Sequence, residues 1–154
     1  MKKINSALFK KALSKFATGI TIITMSQKEN FLGKTVNSFA SLSLNPPLVL
    51  FSLDKKSSSI NSYKKSNFFG INILSRKQKN ISNHFSKNES DWKKINYFIS
   101  SKNIPMIEKC IANFYCKKIK ILNQGDHIIF ICEVRKILIN DTSKPLIYFD
   151  SKYS

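Results

Sequence analysis

The residues best suited to chemistry in this 154-residue chain are a run of small polar side chains, Thr35-Val36-Asn37-Ser38, rather than a catalytic pair. The run carries more hydrogen-bonding capacity than an ordinary core strand needs. A polar-apolar alternation, Ser41-Leu42-Ser43-Leu44, follows it, and an apolar stretch from Leu48 to Leu53 breaks into Asp54-Lys55-Lys56-Ser57-Ser58-Ser59. A strand running into a hydroxyl-rich helix start beside two lysines is a physically reasonable phosphate cradle, because backbone N–H groups, helix dipole and ammonium charge all favour an anion. A plainer reading also satisfies these residues: a hairpin, a proline turn and a capped helix with solvated serines, since capping accounts for Ser57 without a ligand. Conventional catalytic equipment is sparse. His84 and His127 stand far apart, no Ser/His/Asp grouping is evident, and the nine acidic residues form no obvious pair. By itself His127 reads as a turn residue after Gly125-Asp126, satisfied by the aspartate or by water.

The elements that must position these groups follow from periodicity. Residues 5 to 17 place Leu8, Ala12, Leu13 and Phe16 on one stripe, which predicts an amphipathic helix ended by Thr18-Gly19. Ile20 to Met25 is β-branched and strand-like, Ser26 to Asn30 is a polar hairpin turn, and the return strand leads into Thr35. Asn45-Pro46-Pro47 forces a turn, because proline donates no hydrogen bond and restricts the residue before it. Leu48 to Leu53 suits a strand buried on both faces or nearly so. A serine is placed to cap a short helix carrying Ile60 and Tyr63. Phe68 to Leu74 is another buried strand, in which Gly70 marks a bulge or a close approach to the backbone. Ser75 to Asn88 is helical and basic, with Ile81 and Phe85 four apart and His84 exposed. Residues 89 to 109 are the least regular, and Trp92, Ile95, Tyr97, Phe98 and Ile99 are expected to cover one end of the fold. Ile111 to Leu122 and Ile128 to Ile139 are long strands around Gly125-Asp126-His127, and Pro145 to Phe149 adds a last short one. Strands of that length in a small chain predict a curled antiparallel sheet closing into a barrel with peripheral helices.

Length and a 42% hydrophobic content predict one domain, residues 1 to 154, with a real core. Nothing at the start reads as a signal peptide, and no segment approaches the ~18–20 apolar residues that span a bilayer. A soluble cytoplasmic protein is the expectation. The 26 basic residues against 9 acidic ones give a formal charge of +17. All but Arg76 and Arg135 of the basic residues are lysine, a bias that an A+T-rich coding sequence would produce. The lysines are scattered, without a basic tract or aromatic-interleaved motif, which argues against specific nucleic-acid binding. A positive field does favour small anionic ligands. Cys110, Cys116 and Cys132 have no zinc spacing and read as buried free thiols, the first two sharing a face if their strand is continuous; neither a metal nor a structural disulfide is expected. Only four glycines occur and no GxGxxG, so a Rossmann nucleotide site is not expected.

Thr35-Val36-Asn37-Ser38-Phe39, then Ser41 through Asn45-Pro46-Pro47 to Phe51, then Asp54-Lys55-Lys56-Ser57-Ser58-Ser59, resemble the signature of the flavin reductase-like family, the FMN-binding split barrels. Phe16-Ala17-Thr18-Gly19-Ile20-Thr21 ahead of them and Gly125-Asp126-His127 with Pro145–Phe149 behind extend the resemblance over residues 6 to 150. It implies a mainly β, antiparallel Greek-key split barrel with peripheral helices, holding FMN or FAD and reduced by NADH or NADPH. Backbone N–H groups and the side chains of Thr35, Asn37 and Ser38 would meet the pyrimidine edge of the flavin, with Val36 and Leu42 against the ring and Ser41 in the same block. Ser52 and Asp54 would lie near the ribityl chain, Lys56, Ser57, Ser58 and Ser59 near the phosphate, and His84 and Phe85 on the phosphate or adenine side. At that last point the family pattern is Arg-Arg/His-Phe, whereas this chain has Asn83-His84-Phe85. The family's glycines around Pro105 are also missing. His127 would bind or orient the nicotinamide, so that hydride passes to the flavin across ~3–3.5 Å. The resemblance further implies a homodimer and a partner monooxygenase that receives reduced flavin. The rival reading is an FMN-binding electron carrier without useful NAD(P)H oxidation.

Overall fold

The computed structural model describes residues 3–28 and 30–154. Met1 and Lys2, at the basic start, and Glu29, within the expected hairpin turn, lie outside the described residues. In chain order the first elements are helix α1 (Ser6–Leu13) and strands β1 (Thr18–Gly19), β2 (Thr21–Gln27), β3 (Asn30–Val36), β4 (Ala40–Ser43) and β5 (Leu48–Asp54). Helix α2 (Ile60–Lys65), strand β6 (Phe68–Ile73) and helix α3 (Lys79–Lys87) follow. The chain then forms β7 (Tyr97–Ile99), β8 (Pro105–Ile107), β9 (Ala112–Gln124), β10 (His127–Ile139), β11 (Ile147–Phe149) and β12 (Lys152–Tyr153).

Strand β2 is buried on both faces from Thr21 to Met25, and the layers form around it. Ile23 and Met25 enter an inner cluster with Phe51, Tyr63, Phe69, Ile71 and Phe130. On the other face Ile22, with Ile20, packs against Leu74, Phe85, Ile107 and Leu146. The main sheet is antiparallel with seven strands in the order β3-β2-β6-β9-β10-β5-β4. In β5 burial alternates, with Val49, Phe51 and Leu53 inside and their neighbours half-covered, so the expected double-sided burial belongs to β2 instead. Strands β3 and β4 are the sheet's two edges, and among the described residues no ladder joins them. The expected barrel is therefore not closed by strand pairing: β4, a four-residue strand that ends at the Asn45-Pro46-Pro47 turn, pairs with β5 alone.

Three local expectations change. Helix α1 ends at Leu13, well before Thr18-Gly19, which is a strand paired to β11, and none of its residues is buried. Leu13 and Phe16 stay 56% and 75% exposed, so the stripe faces outward. Cys110 lies before β9 and packs in the outer cluster while Cys116 points inward with Cys132, so the first two thiols do not share a face. All three are free and buried, and burial pushes Cys110 and Cys132 up to about 12, with Cys116 raised too. Of the aromatic cap, Ile95 is buried and Trp92 packs against Phe31, Phe85 and Tyr97, but β7 itself is exposed.

Strand β8 is moored by side chains. Asn72 Oδ1 accepts from the Ile107 N–H at 2.9 Å, and Asn113 Nδ2 donates to Ile107 O at 3.0 Å. Asn72 Nδ2 donates to Ile22 O at 2.9 Å, and Thr24 Oγ1 donates to Pro105 O at 2.5 Å. Gly70 makes the close approach possible, because a Cβ there would stand 2.3 Å from Thr24 Oγ1 and 2.6 Å from Met106 Sδ. Replacing Asn72 by Ala strands the buried Ile107 N–H and should lower the unfolding free energy by ~1–3 kcal/mol. Denaturant melts give the loss, and limited proteolysis should then cut the β7–β8 region faster than in wild type.

Candidate active site

The expected site residues gather along the seam where β3 passes β5 without a backbone ladder. At one end of the seam Ser38 Oγ accepts from the Ser52 N–H and donates to the Ser52 carbonyl, both at 3.0 Å. Ladder pairing between β4 and β5 begins only at Ala40↔Leu50, so Ser52 lies beyond it. A hydroxyl, which can both donate and accept, supplies the two bonds that a strand residue would otherwise make.

At the other end Lys34 Nζ lies 3.1 Å from Ser57 Oγ, and Ser57 Oγ lies 3.1 Å from Ser59 Oγ. All three converge on the carboxylate of Glu89: Lys34 and Ser59 make short contacts with its two oxygens, and Ser57 Oγ is 3.4 Å from Oε1. Ser59 occupies the N-cap position of α2 but makes no capping bond, contrary to expectation, because its hydroxyl is drawn to Glu89. The loop that brings Glu89 here is held by its own carbonyl on the Gly33 N–H (2.8 Å) and by His84 Nε2 on Asp91 O (2.6 Å). His84 is thus partly buried and occupied. Phe85 is fully buried, and Gly33 makes room for it, since a Cβ there would meet the ring at 2.7 Å.

The Gly125-Asp126-His127 turn is stitched to the same corner. His127 pairs with Asp54 in the β10–β5 ladder, Lys55 N–H donates to Asp126 O at 2.9 Å, and Lys55 Nζ reaches Gly125 O at 2.7 Å. Asp54 Oδ1 accepts from the Lys56 N–H at 2.8 Å. Gly125 adopts φ +57, the left-handed conformation that glycine takes at no steric cost. His127 Nδ1 stands 2.7 Å from Asp126 Oδ1, and that hydrogen bond holds the Asp126 carboxyl below the usual carboxylate range. With the carboxylate accepting, Nδ1 carries the proton and the half-exposed ring turns Nε2 away from Asp126.

A cleft of about 540 Å³ opens beside Asn37 and Ser38, walled by Leu13, Phe16, Phe39 and Tyr148. Thr18 Oγ1 borders it and is buried without a partner. A smaller cleft of about 240 Å³, on Thr35, Val36 and Asn37, adjoins it through Asn37 and Tyr148. Aromatic walls, small polar side chains and an orphaned hydroxyl fit a flat heteroaromatic ring with a polar edge, and the Lys34–Ser57–Ser59 cluster fits its phosphate. The expected residues do not all present side chains here. The Thr35 hydroxyl donates to Ser82 O at 2.7 Å, and Val36 is buried in the inner core, where it pairs with Thr21 in the β2–β3 ladder and its carbonyl accepts from Thr21 Oγ1 at 3.4 Å. Ser41 and Leu42 sit exposed on edge strand β4, Ser58 borders a third cleft beside Glu89, and Lys56 is exposed. Sequence reasoning missed Lys34 and Glu89, and quoted Thr18 and Tyr148 without giving either a place in the site. Thr18 lies inside the FATG stretch, whereas nothing in the local pattern marks Glu89.

Residues 13–154 match the family model described as flavin reductase like domain. The FMN reductase (NADH) SmoA of Agrobacterium fabrum is 37% identical over 137 residues, 89% of this chain and 79% of that protein. Among solved structures the chain is similar to the flavin reductase PheA2 in its native state, with a TM-score of 0.91, 34% identity, and 98% of this chain and 97% of that chain covered. The styrene monooxygenase flavin reductase of Pseudomonas putida S12 gives a TM-score of 0.86 at 32% identity, covering 95% of each chain.

Removing the seam hydroxyl, Ser38→Ala, leaves the partly buried Ser52 N–H and C=O without their partner and should cost ~1–3 kcal/mol. Hydrogen exchange at Ser52 should accelerate along with the drop in denaturation midpoint; an unchanged midpoint would mean that water replaces the hydroxyl without loss.

Proposed function

The chain belongs to the flavin reductase like family, and on that premise we propose that it is an NADH-dependent flavin reductase that delivers reduced FMN, or FAD, to a partner monooxygenase. The observation that carries the site assignment is the convergence of Lys34, Ser57 and Ser59 on a carboxylate, a cluster whose donors already hold an anion. A flavin supplies the hydride-accepting chemistry in its own ring. The protein then has to bind, orient and exclude water. Asn37, Thr18 and the backbone from Thr35 to Ser38 bond the polar edge of the ring, with Phe16, Phe39 and Tyr148 as apolar walls. Ser52 and Asp54 border the path to the phosphate, which Lys34, Ser57 and Ser59 take up. Ser58, Lys56, His84 and Phe85 support that end, the last two by fixing the loop after α3.

His127 is the residue we assign to the reductant. Its Nδ1 is tied to Asp126, which fixes the tautomer and leaves Nε2 to meet the nicotinamide end of NADH. NADPH remains an alternative reductant. The formal +17 charge favours capture of both anionic substrates.

A homodimer is part of the same proposal. Ile137, Leu138 and Ile139 are exposed in succession on β10, and Leu13, Phe16 and Leu44 are exposed elsewhere, apolar surface that a second copy would cover. We read the seamed sheet as a split barrel, with the Ser38 clasp in place of a closing ladder. Among the described residues no helix is long and apolar enough to cross a membrane. A cytoplasmic location goes with the proposed supply of NADH.

The test is an anaerobic absorbance titration with FMN and then NADH, with FAD and NADPH in parallel. Protein-dependent bleaching of the flavin band is expected; flavin binding that NADH leaves oxidised would favour the electron-carrier alternative. His127→Ala should lower kcat/KM for NADH by ~10- to 100-fold through lost orientation while the flavin Kd stays within about twofold. Loss of flavin binding in that variant would instead make His127 structural.

A further inference from the structure

Glu89 does something the phosphate reading alone does not require. Its carboxylate sits on the same three donors, Lys34 Nζ, Ser57 Oγ and Ser59 Oγ, that would receive the flavin phosphate. The contact is not a loose surface pair: the Lys34 and Glu89 side chains are 23% and 15% exposed. The carboxylate arrives on a loop fixed at both sides by the Gly33 N–H and by His84. The charges of Lys34 and Glu89 cancel. A phosphate entering the cluster would bring a second anion against the first in a half-buried setting, where like charges interact strongly.

We propose that Glu89 is an internal competitor for the flavin phosphate, an anionic side chain that the phosphate must displace, so that the cluster holds flavin loosely enough to release it. The inference rests on the flavin reading above. A cleft of about 380 Å³, bordered by Ser58, Ser59, Ser62, Lys87 and Asn88, opens beside Glu89 and gives the displaced carboxylate somewhere to go, with the Lys87 ammonium on its rim. In the free protein Glu89 keeps Ser57 and Ser59 oriented and Lys34 neutralised, so the site does not collect other phosphates at random. In the complex the phosphate takes these donors, and part of its binding free energy is consumed in expelling the carboxylate. Phosphate-bearing flavins therefore gain little over a flavin that lacks the phosphate. Glu89 is a specificity-determining residue in this sense; it touches no reacting atom.

The experiment compares FMN with riboflavin, which has the same ring and ribityl chain but no phosphate, on wild type and on Glu89→Gln, by quenching of flavin fluorescence. Wild type should bind the two with Kd values within about tenfold of each other. Glu89→Gln keeps the size and one acceptor oxygen, exchanges the other for an NH2 donor and drops the charge; it should tighten FMN by about tenfold or more while riboflavin moves less than about twofold. Raising the salt concentration should shrink the gain. Unchanged or weakened FMN binding in Glu89→Gln, with riboflavin still bound, would overturn the inference and leave the reductase reading standing. Should that variant fold poorly, the wild-type ratio decides: FMN bound more than about a hundredfold tighter than riboflavin would mean that the phosphate meets no competitor. If wild type binds neither flavin, the reductase reading fails and this inference with it.

Discussion

The hydroxyl of Ser38 is the constraint on which the rest of the structure depends. A curled antiparallel sheet leaves two free edges, and here, among the described residues, β3 and β4 do not pair with each other. Ser38 bridges the gap by giving Ser52 both of the hydrogen bonds its backbone needs. A seam fastened at points differs from a continuous ladder in one respect that matters for function: it leaves side chains and clefts along its length. The cleft beside Asn37 and Ser38 and the Lys34 cluster both lie on that seam, so the place where the sheet fails to close is also where its side chains gather into clefts.

The inner architecture follows from burial on two sides of β2. Its odd positions fill the sheet's interior, and its even positions meet α3, β8 and the C-terminal strands. Polar residues on the outer face are then buried too, and Thr24, Asn72 and Asn113 are tolerated because each finds a backbone partner there. Their bonds fix β8 where no extended ladder holds it. Aromatic packing finishes the interior, with Phe51 stacked on Phe130 at 4.9 Å and Phe69 edge-on to both.

Much of this was legible in the sequence because it depends on local pattern. The long β9 and β10, the β-branched β2, the glycine turn before His127 and the close approach at Gly70 all announce themselves in residue type. The small polar run from Thr35 and the serines after β5, separate in sequence, lie along one seam in the fold. What could not be read was which hydroxyls are free, since that is decided by partners distant in sequence: Ser82 for Thr35, Ser52 for Ser38 and Glu89 for Ser57 and Ser59. Helix α1 misled for the opposite reason. Its stripe is real, but periodicity records that a face is apolar, not what covers it, and among the described residues nothing buries it.

The pairing of β1 with β11 carries a consequence for how the molecule is made. Thr18 finds its strand partner in Tyr148, and the loop after α1 is tied to Asp150 through Ser14 and Lys15. On a ribosome these early residues must wait, unpaired, while almost the whole remaining chain is synthesised, whereas the β2–β3 hairpin and its β6 neighbour can already assemble behind them. Contacts so distant in sequence are slow to form. The cleft that Thr18 and Tyr148 share is thus completed late, when much of the main sheet can already be in place.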